Sequence, residues 1–299
     1  MAPGMTPRRL NPGITLGVAA YAMWGLLPLY IRLLRPMPGP DILAHRILWS
    51  LLLLAILAAG LRHGAALAAI LRQPRLLLAL TASATLIAIN WLFYIVAVTN
   101  GHVADASLGY FINPLVNVVL GVVVLRERLG RLELIAVLIA AAGVAWLAIS
   151  QGTLPLLPLT LALSFGFYGL VRKMVPVDAI DGLLIETLIL APFALAWLLF
   201  FGGAMAGPSP PYALVIGSGL VTALPLLLFA AAAKRIRYAD LGLLQYIAPT
   251  LQLLLAVFLF DEHLSHAQWL GFITIWIALA IYATGATLRS RRESVADPD

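Results

Sequence analysis

Ser107-Leu108-Gly109-Tyr110-Phe111-Ile112-Asn113-Pro114-Leu115-Val116-Asn117 lies in the middle of an apolar run from Val103 to Leu125. A run of that length crosses a bilayer as a helix, at about 1.5 Å per residue against roughly 30 Å of hydrocarbon. It nonetheless carries two asparagines and a proline at mid-depth. Tyr110, Asn113 and Asn117 recur at helical spacing and share one face. Amides turned to lipid would lack partners, so that face is expected to look onto protein or water. Pro114 removes a backbone donor and frees the carbonyl about one turn earlier, near Tyr110. The stretch reads as a kinked, polar-faced membrane helix.

The rest of the chain has the same character. Of its 299 residues, 62% are hydrophobic and 11% charged, and the mean hydropathy is +0.99. A soluble domain averages about 25% charged residues. Ten apolar stretches stand out, over roughly 14–34, 42–60, 75–98, 103–125, 132–149, 154–171, 181–201, 212–233, 239–260 and 267–288. The fold expected is all-α and integral to the membrane, with a short basic tail over 1–12 and a polar, disordered tail over 289–299. With no cysteine, disulfides and thiolate metal sites are excluded.

The basic residues set the topology. With both termini on one side, sixteen of the nineteen lysines and arginines fall on that side, in the tails and in alternate loops. Arg32 and Arg35 fall on the other, and Arg46 lies inside the second stretch. This bias predicts ten spans with both termini cytoplasmic. The net charge of +6 is thereby read as membrane topology, with no nucleic-acid partner.

The two halves repeat. Shifted by 135 residues, Ala104–Leu129 lies on Ala239–Leu264 without a gap, and nine of 26 positions are identical, among them Asp105/Asp240, Pro114/Pro249 and Glu127/Glu262. Tyr21-x-x-Trp24-Gly25 likewise matches Phe165-x-x-Tyr168-Gly169, and Ala44-His45-Arg46 matches Ile185-Glu186-Thr187. Repeats over 13–150 and 151–288 with five spans each insert in opposite senses. Inverted repeats with proline-interrupted helices in matching places point to alternating-access transport, with the site at the repeat interface.

The chain resembles the drug/metabolite transporter superfamily, within it the EamA-type proteins, and within those the RarD group. The resemblance rests on Tyr21-Ala-Met-Trp24-Gly25-Leu-Leu-Pro28-Leu-Tyr30, Ile42-Leu-Ala-His45-Arg46-Ile-Leu-Trp49-Ser50, Asn90-Trp91, Ala106 to Asn117, and Leu244-Gln245-Tyr246-Ile-Ala-Pro249-Thr250. It covers about Pro12 to Leu288. It implies ten transmembrane helices in two inverted five-helix repeats, a central cavity, and export of small metabolites or drugs across the bacterial cytoplasmic (inner) membrane. One departure is Arg126 and Arg128 flanking Glu127, where a glycine is expected on the near side.

A pathway through lipid needs a few polar groups that can exchange water for ligand. Tyr110, Asn113 and Asn117 on the fourth span, with Gln245, Tyr246 and Gln252 on the ninth, are expected to present matching faces across the site. Asn90 and Tyr94 on the third span share a face and join them. The recurring aromatic pairs Tyr21/Trp24 and Phe165/Tyr168 suit an apolar or cationic group, while Gly25 and Gly169 suit close helix contact equally well. Trp91 reads as packing or lipid-facing. The ionisable candidates are His45, Arg46 and Glu186. Arg46 either snorkels to the interface or meets a substrate carboxylate or Glu186, and Glu186 is the candidate for carrying a coupled proton. Asp105 and Asp240 read as helix caps. Glu127 and Glu262 read as partners of nearby arginines or as caps of the next helix.

A membrane-embedded enzyme would need clustered catalytic or metal-ligating groups, and the five histidines are scattered with no HExxH. A channel would draw its pore from symmetry about the membrane normal and a charged or carbonyl filter. The expectation is therefore a carrier, monomeric or homodimeric, that needs no metal or cofactor. It would move a small amphipathic or amino acid-like solute by rocking about Pro28, Pro114, Pro225 and Pro249, with the fifth and tenth spans as peripheral supports.

Overall fold

The computed structural model describes residues 11–34, 37–99, 103–151, 156–202, 210–259 and 265–296. Among these the chain forms twelve helices and no strand. They are α1 (Pro12–Leu33), α2 (Gly39–Gly60), α3 (Gly64–Leu71), α4 (Pro74–Thr99), α5 (Val103–Val123), α6 (Arg131–Gln151), α7 (Leu156–Met174), α8 (Ala179–Phe200), α9 (Tyr212–Ala233), α10 (Tyr238–Leu244), α11 (Ile247–Leu259) and α12 (His266–Ala296). Eight segments are long and apolar enough to cross a membrane: α1, α2, α4, α6, α8, α9, the α10–α11 pair and α12. The described apolar part of α5, Gly109–Val123, is shorter. α7 is more polar and ends on Arg172 and Lys173.

Local chemistry sets the helix starts. Asn11 caps α1 by accepting from the Gly13 amide at 2.9 Å, with Pro12 at the first helical position. Asp178 caps α8 through the Ile180 amide at 3.1 Å. Ser265 and Gln268 form a reciprocal box at the head of α12, with the Gln268 Oε1 accepting from the Ser265 amide at 2.9 Å. α12 then runs to Ala296, past the point where a disordered tail was expected. No helix breaker stands between Leu288 and Ala296, and the arginines there are good helix formers.

The burial pattern is that of a protein solvated by lipid. Phe193, Phe200 and Phe258 are 74–79% exposed, while Asn113, Asn117, Glu186 and Arg172 are at most 2% exposed. The amphipathic logic of a soluble bundle is reversed, because lipid welcomes apolar side chains and polar ones must find partners inside.

Around the centre, α2 packs on α8 and α9, α1 on α9 and α11, α4 on α7 and α8, and α5 on α7 and α10. α6 and α12 pack along each other at one edge, as peripheral supports. Small residues permit the closest approaches. A Cβ on Gly25 would lie 2.7 Å from the Leu251 Cβ, and one on Gly166 2.6 Å from Val116 Cγ1. Helix association in lipid depends on such approaches because burial from water supplies little drive there. The short α3 packs Leu67 and Ile70 against Leu80, Val175 and Ile185.

Pro28, Pro114 and Pro225 sit inside unbroken helices. Only at Pro249 does the chain part, between α10 and α11. Pro249 cannot donate to the Gln245 carbonyl four residues back, and that carbonyl accepts instead from Ala248 at 3.1 Å. The expected ninth helix is therefore two helices, with Gln245 and Tyr246 at the break.

Past the end of α5, Arg126 adopts φ 57°, the left-handed conformation in which glycine carries no penalty. This is the position of the missing glycine. The turn carries Glu127 away from α6 to the head of α10, where Oε1 accepts from the Tyr238 amide at 2.7 Å and Oε2 from the Ala239 amide at 3.0 Å. Glu127 caps a helix of the other half of the chain, a partner that neighbouring sequence does not reveal. Asp240 accepts from the Tyr282 hydroxyl. Glu262 lies outside the described residues, as does the side chain of Asp105.

Candidate functional site

Helices α1, α2, α4, α5, α7 and the α10–α11 break surround a cavity of about 600 Å3 of atom-free space, part of it open to solvent. Of the residues singled out in the sequence, Tyr21, Trp24, Arg46, Asn90, Tyr94, Tyr110, Phe165, Gln245 and Gln252 line it. Leu27, Trp91, Ala248 and Pro249 complete the wall. Leu27 and Ala248 carry no sequence signal, since an apolar residue is unremarkable in any span. Trp91 reads from the sequence as packing or lipid-facing, and the structure places it in the wall instead.

The amide groups are held by identifiable partners. The Asn90 Nδ2 donates to the Leu161 carbonyl at 2.8 Å and to Ser164 Oγ at 3.1 Å, which fastens α4 to α7. The Gln252 Nε2 donates to the Trp24 carbonyl at 3.2 Å, joining α11 to α1. The Asn117 Nδ2 donates to Gln245 Oε1 at 2.9 Å. Tyr94 and Tyr110 pack ring against ring at 5.3 Å. Each amide ties one half of the chain to the other, so the interhelical and cavity-lining roles coincide.

Arg46 stands seven residues past the start of α2, roughly 10 Å along its axis. It is 4% exposed, so it does not snorkel to the interface. Its Nε donates to Thr222 Oγ1 on α9 at 2.7 Å, and its guanidinium lies 5.1 Å from the Trp91 ring centre. Trp91 therefore faces the cavity and not the lipid. Tyr30, Tyr94 and Tyr110 are within electrostatic reach of the guanidinium.

Aromatic residues pack together along one wall of the cavity. Trp24 meets Phe165 at 5.5 Å and Phe229 at 5.7 Å, and Phe229 meets Phe165, Tyr168 and Tyr21. Tyr21 and Phe165 line the cavity, while Tyr168 lies within this packing, fully buried. Phe229 joins the two expected aromatic pairs into one cluster. Its contribution was not legible in a helix rich in alanine and leucine.

Asn113 and Tyr246 also stand apart from the cavity lining. Tyr246 donates its hydroxyl to the Phe111 carbonyl at 3.2 Å. Asn113 is wholly buried, and its amide has no hydrogen-bond partner among the described residues. Asn117 touches the site only through Gln245. His45 is half-buried on α2 and does not line the cavity.

Beyond the aromatic cluster, polar contacts seal the bundle. Glu186 is 1% exposed, accepts from Ser83 Oγ, and lies 3.5 Å from Arg172 Nη1. Arg172 Nη2 also donates to the Ala179 carbonyl at 3.1 Å. Arg46 and Glu186 are therefore not partners. The helix starts move the expected match by one residue, so that Arg46 and not His45 corresponds to Glu186: each stands seven residues past the first of its helix, and each bonds a hydroxyl on a helix of the other half. Asp41 and Asp181 match in the same register: Asp41 accepts from Trp197 Nε1 at 2.9 Å, and Asp181 lies 2.7 Å from His63 Nδ1. Lys173 donates to the Ala233 and Ile236 carbonyls at 3.0 and 2.7 Å. In the loop after α9, burial lowers the pKa of Lys234 and the nearby Arg172 charge lowers it further, while its ammonium donates to the Val177 carbonyl.

The EamA-like transporter family matches the chain twice, over residues 11–149 and 154–284. A Pseudomonas aeruginosa protein described as an uncharacterized transporter is 47% identical over 96% of this chain and 98% of its own length. Protein RarD of Escherichia coli is 42% identical over 97% of this chain and all of its own length. A solved structure described only as a crystal structure of a protein superposes with a TM-score of 0.70 at 20% identity, covering 90% of this chain and 96% of that one. That last likeness concerns the fold alone.

Proposed function

The chain belongs to the EamA-like transporter family, in its RarD group, and from that premise we propose that it is an alternating-access carrier whose cavity binds a small amphipathic solute. In this reading α1, α2, α4, α5 and α6 form one five-span repeat. α7, α8, α9, the α10–α11 pair and α12 form the other, inserted in the opposite sense. The bacterial inner membrane is its location and both termini are cytoplasmic, as the basic loops favour. The cavity then opens towards the outside, and the Arg172, Glu186 and Glu127 contacts close the cytoplasmic side. Export is the direction the family resemblance implies.

The observation that carries this proposal is the pairing of the two halves. Exchanging them maps the α2–α8, α5–α10 and α6–α12 contacts onto themselves. It maps α1–α9 onto α4–α7, and α1–α11 onto α5–α7. A bundle built this way can form the mirror arrangement of its contacts on the opposite side, which is what alternating access requires. An enzyme or a channel has no need of that exchange. Glu186 is the coupling residue in this reading, because its carboxyl group is buried against Ser83 and Arg172 with the Tyr168 ring nearby, and is a place to hold a proton.

The test is counterflow of labelled phenylalanine, phenylacetate and phenethylamine in proteoliposomes. At least one should exchange, and Trp24→Ala or Gln252→Ala should cut its rate about tenfold or more at low concentration. No exchange by folded protein, or exchange untouched by both substitutions, would overturn the assignment.

A further inference from the structure

We infer that the cavity selects for an organic anion, an aromatic or apolar monocarboxylate whose carboxylate pairs with Arg46. The inference deepens the carrier reading and rests on the cavity being the transport site.

The argument begins with charge. None of the thirteen lining residues is acidic, and one of them, Arg46, carries a full positive charge. Arg46 is 4% exposed, and among the described residues it makes no ion pair. Asp41 is the only acid along α2, and its carboxylate is taken by Trp197 Nε1. The internal repeat provides a comparison within the same molecule. At the matching position of α8, Glu186 has a cationic partner in Arg172 as well as the Ser83 hydroxyl. Arg46 has the corresponding hydroxyl, Thr222, and no counter-charge.

A buried guanidinium without an anion is expensive, and these neighbours offset only part of the cost. Nε is satisfied by Thr222, and the Trp91 ring and nearby tyrosine hydroxyls soften the remaining charge. The two Nη groups donate to no protein acceptor among the described residues and form a fork suited to a planar carboxylate. The body of the ligand then meets Trp24, Trp91, Phe165 and Leu27. An ammonium group would find amides, tyrosine hydroxyls and ring faces but no carboxylate there, and would be repelled by Arg46, so a cationic amine is disfavoured and a zwitterion gains little over the simple acid. Burial of Arg46 inside the bundle also keeps it from lipid headgroups.

The experiment is a thermal-shift series on the purified full chain with phenylacetate, 2-phenylethanol, phenethylamine and phenylalanine, which share a ring and differ in charge. Phenylacetate should stabilise most and phenethylamine least. Arg46→Gln, which retains a donor for Thr222, should weaken phenylacetate roughly thirtyfold or more and leave 2-phenylethanol unchanged. Arg46→Lys should retain part of the binding. The ranking in the unaltered protein tests the inference even if Arg46→Gln does not fold. Phenethylamine binding as well as phenylacetate overturns the inference, and so does the absence of any shift with all four. Binding that ignores Arg46→Gln but is lost in Gln252→Leu overturns the anion site and leaves the carrier reading standing. Arg46-dependent binding without counterflow of phenylacetate supports the anion site and defeats the carrier reading.

Discussion

Arg172→Met should destabilise the folded protein by about 3–5 kcal/mol, because it leaves the Glu186 carboxylate buried without its cation. Both side chains are about 1% exposed and 3.5 Å apart. The pair as a whole adds little net stability, since desolvating two ions cancels most of their attraction. Removing one partner is different, as the remaining charge retains its desolvation cost and the Ser83 hydroxyl offsets only part of it. The double variant Arg172→Met/Glu186→Gln should therefore recover most of the loss, since no buried ion remains. Equilibrium unfolding in mixed micelles reads both variants. A single variant as stable as the parent, or a double variant worse than the single, would remove this pair from the closure of the bundle.

Gly219→Leu should cost about 3 kcal/mol or prevent folding, through overpacking where two backbones meet. A Cβ on Gly219 would lie 2.5 and 2.6 Å from the Trp49 carbonyl carbon and oxygen and 2.8 Å from the Ser50 nitrogen. Those atoms belong to the α2 backbone and cannot swing aside as a side chain can. The Ser50 hydroxyl also donates to the Gly219 carbonyl at 3.1 Å, so the contact is bonded as well as close. Arg46, one turn before Ser50 on α2, bonds Thr222, one turn after Gly219 on α9, and parting the two helices would stretch that bond. Gly219→Ala should show the same defect at smaller scale. Unfolding midpoints of the two variants test the order, and a tolerated leucine would mean that the helices stand further apart than described.

The sequence carries much of this architecture because polar groups in lipid are costly. Each one in an apolar run marks an inward face, which is why Asn90, Tyr110, Gln245 and Gln252 could be placed at the cavity before their partners were known. The repeat supplied Tyr21, Trp24 and Phe165 by the same logic. Contacts across 70 or more residues were not legible. Nothing local links Asn117 to Gln245, Arg46 to Thr222 or Glu127 to the head of α10. The repeat alignment matched Tyr110 with Gln245, whereas the break before Pro249 swings Gln245 onto Asn117. Apolar wall residues such as Leu27 and Ala248 were hidden by a background of the same kind. Arg126 departs from the family pattern, and its left-handed backbone explains why that pattern has glycine there.

Alternating access is tested most directly by introduced cysteines, since the chain has none of its own. Gly121→Cys with Ala239→Cys would bridge α5 to α10 on the side away from the cavity, where a Cβ on Gly121 would lie 3.3 Å from the Ala239 nitrogen. A third cysteine at Gln252 reports the cavity, in a variant that leaves out one bridge partner or keeps both. Without the bridge, a membrane-impermeant maleimide should label Gln252→Cys from either side, as the carrier alternates. With the bridge formed, labelling should persist from the outside and stop from the cytoplasm. Labelling from both sides of the bridged protein, or from neither side of the unbridged one, would contradict the account.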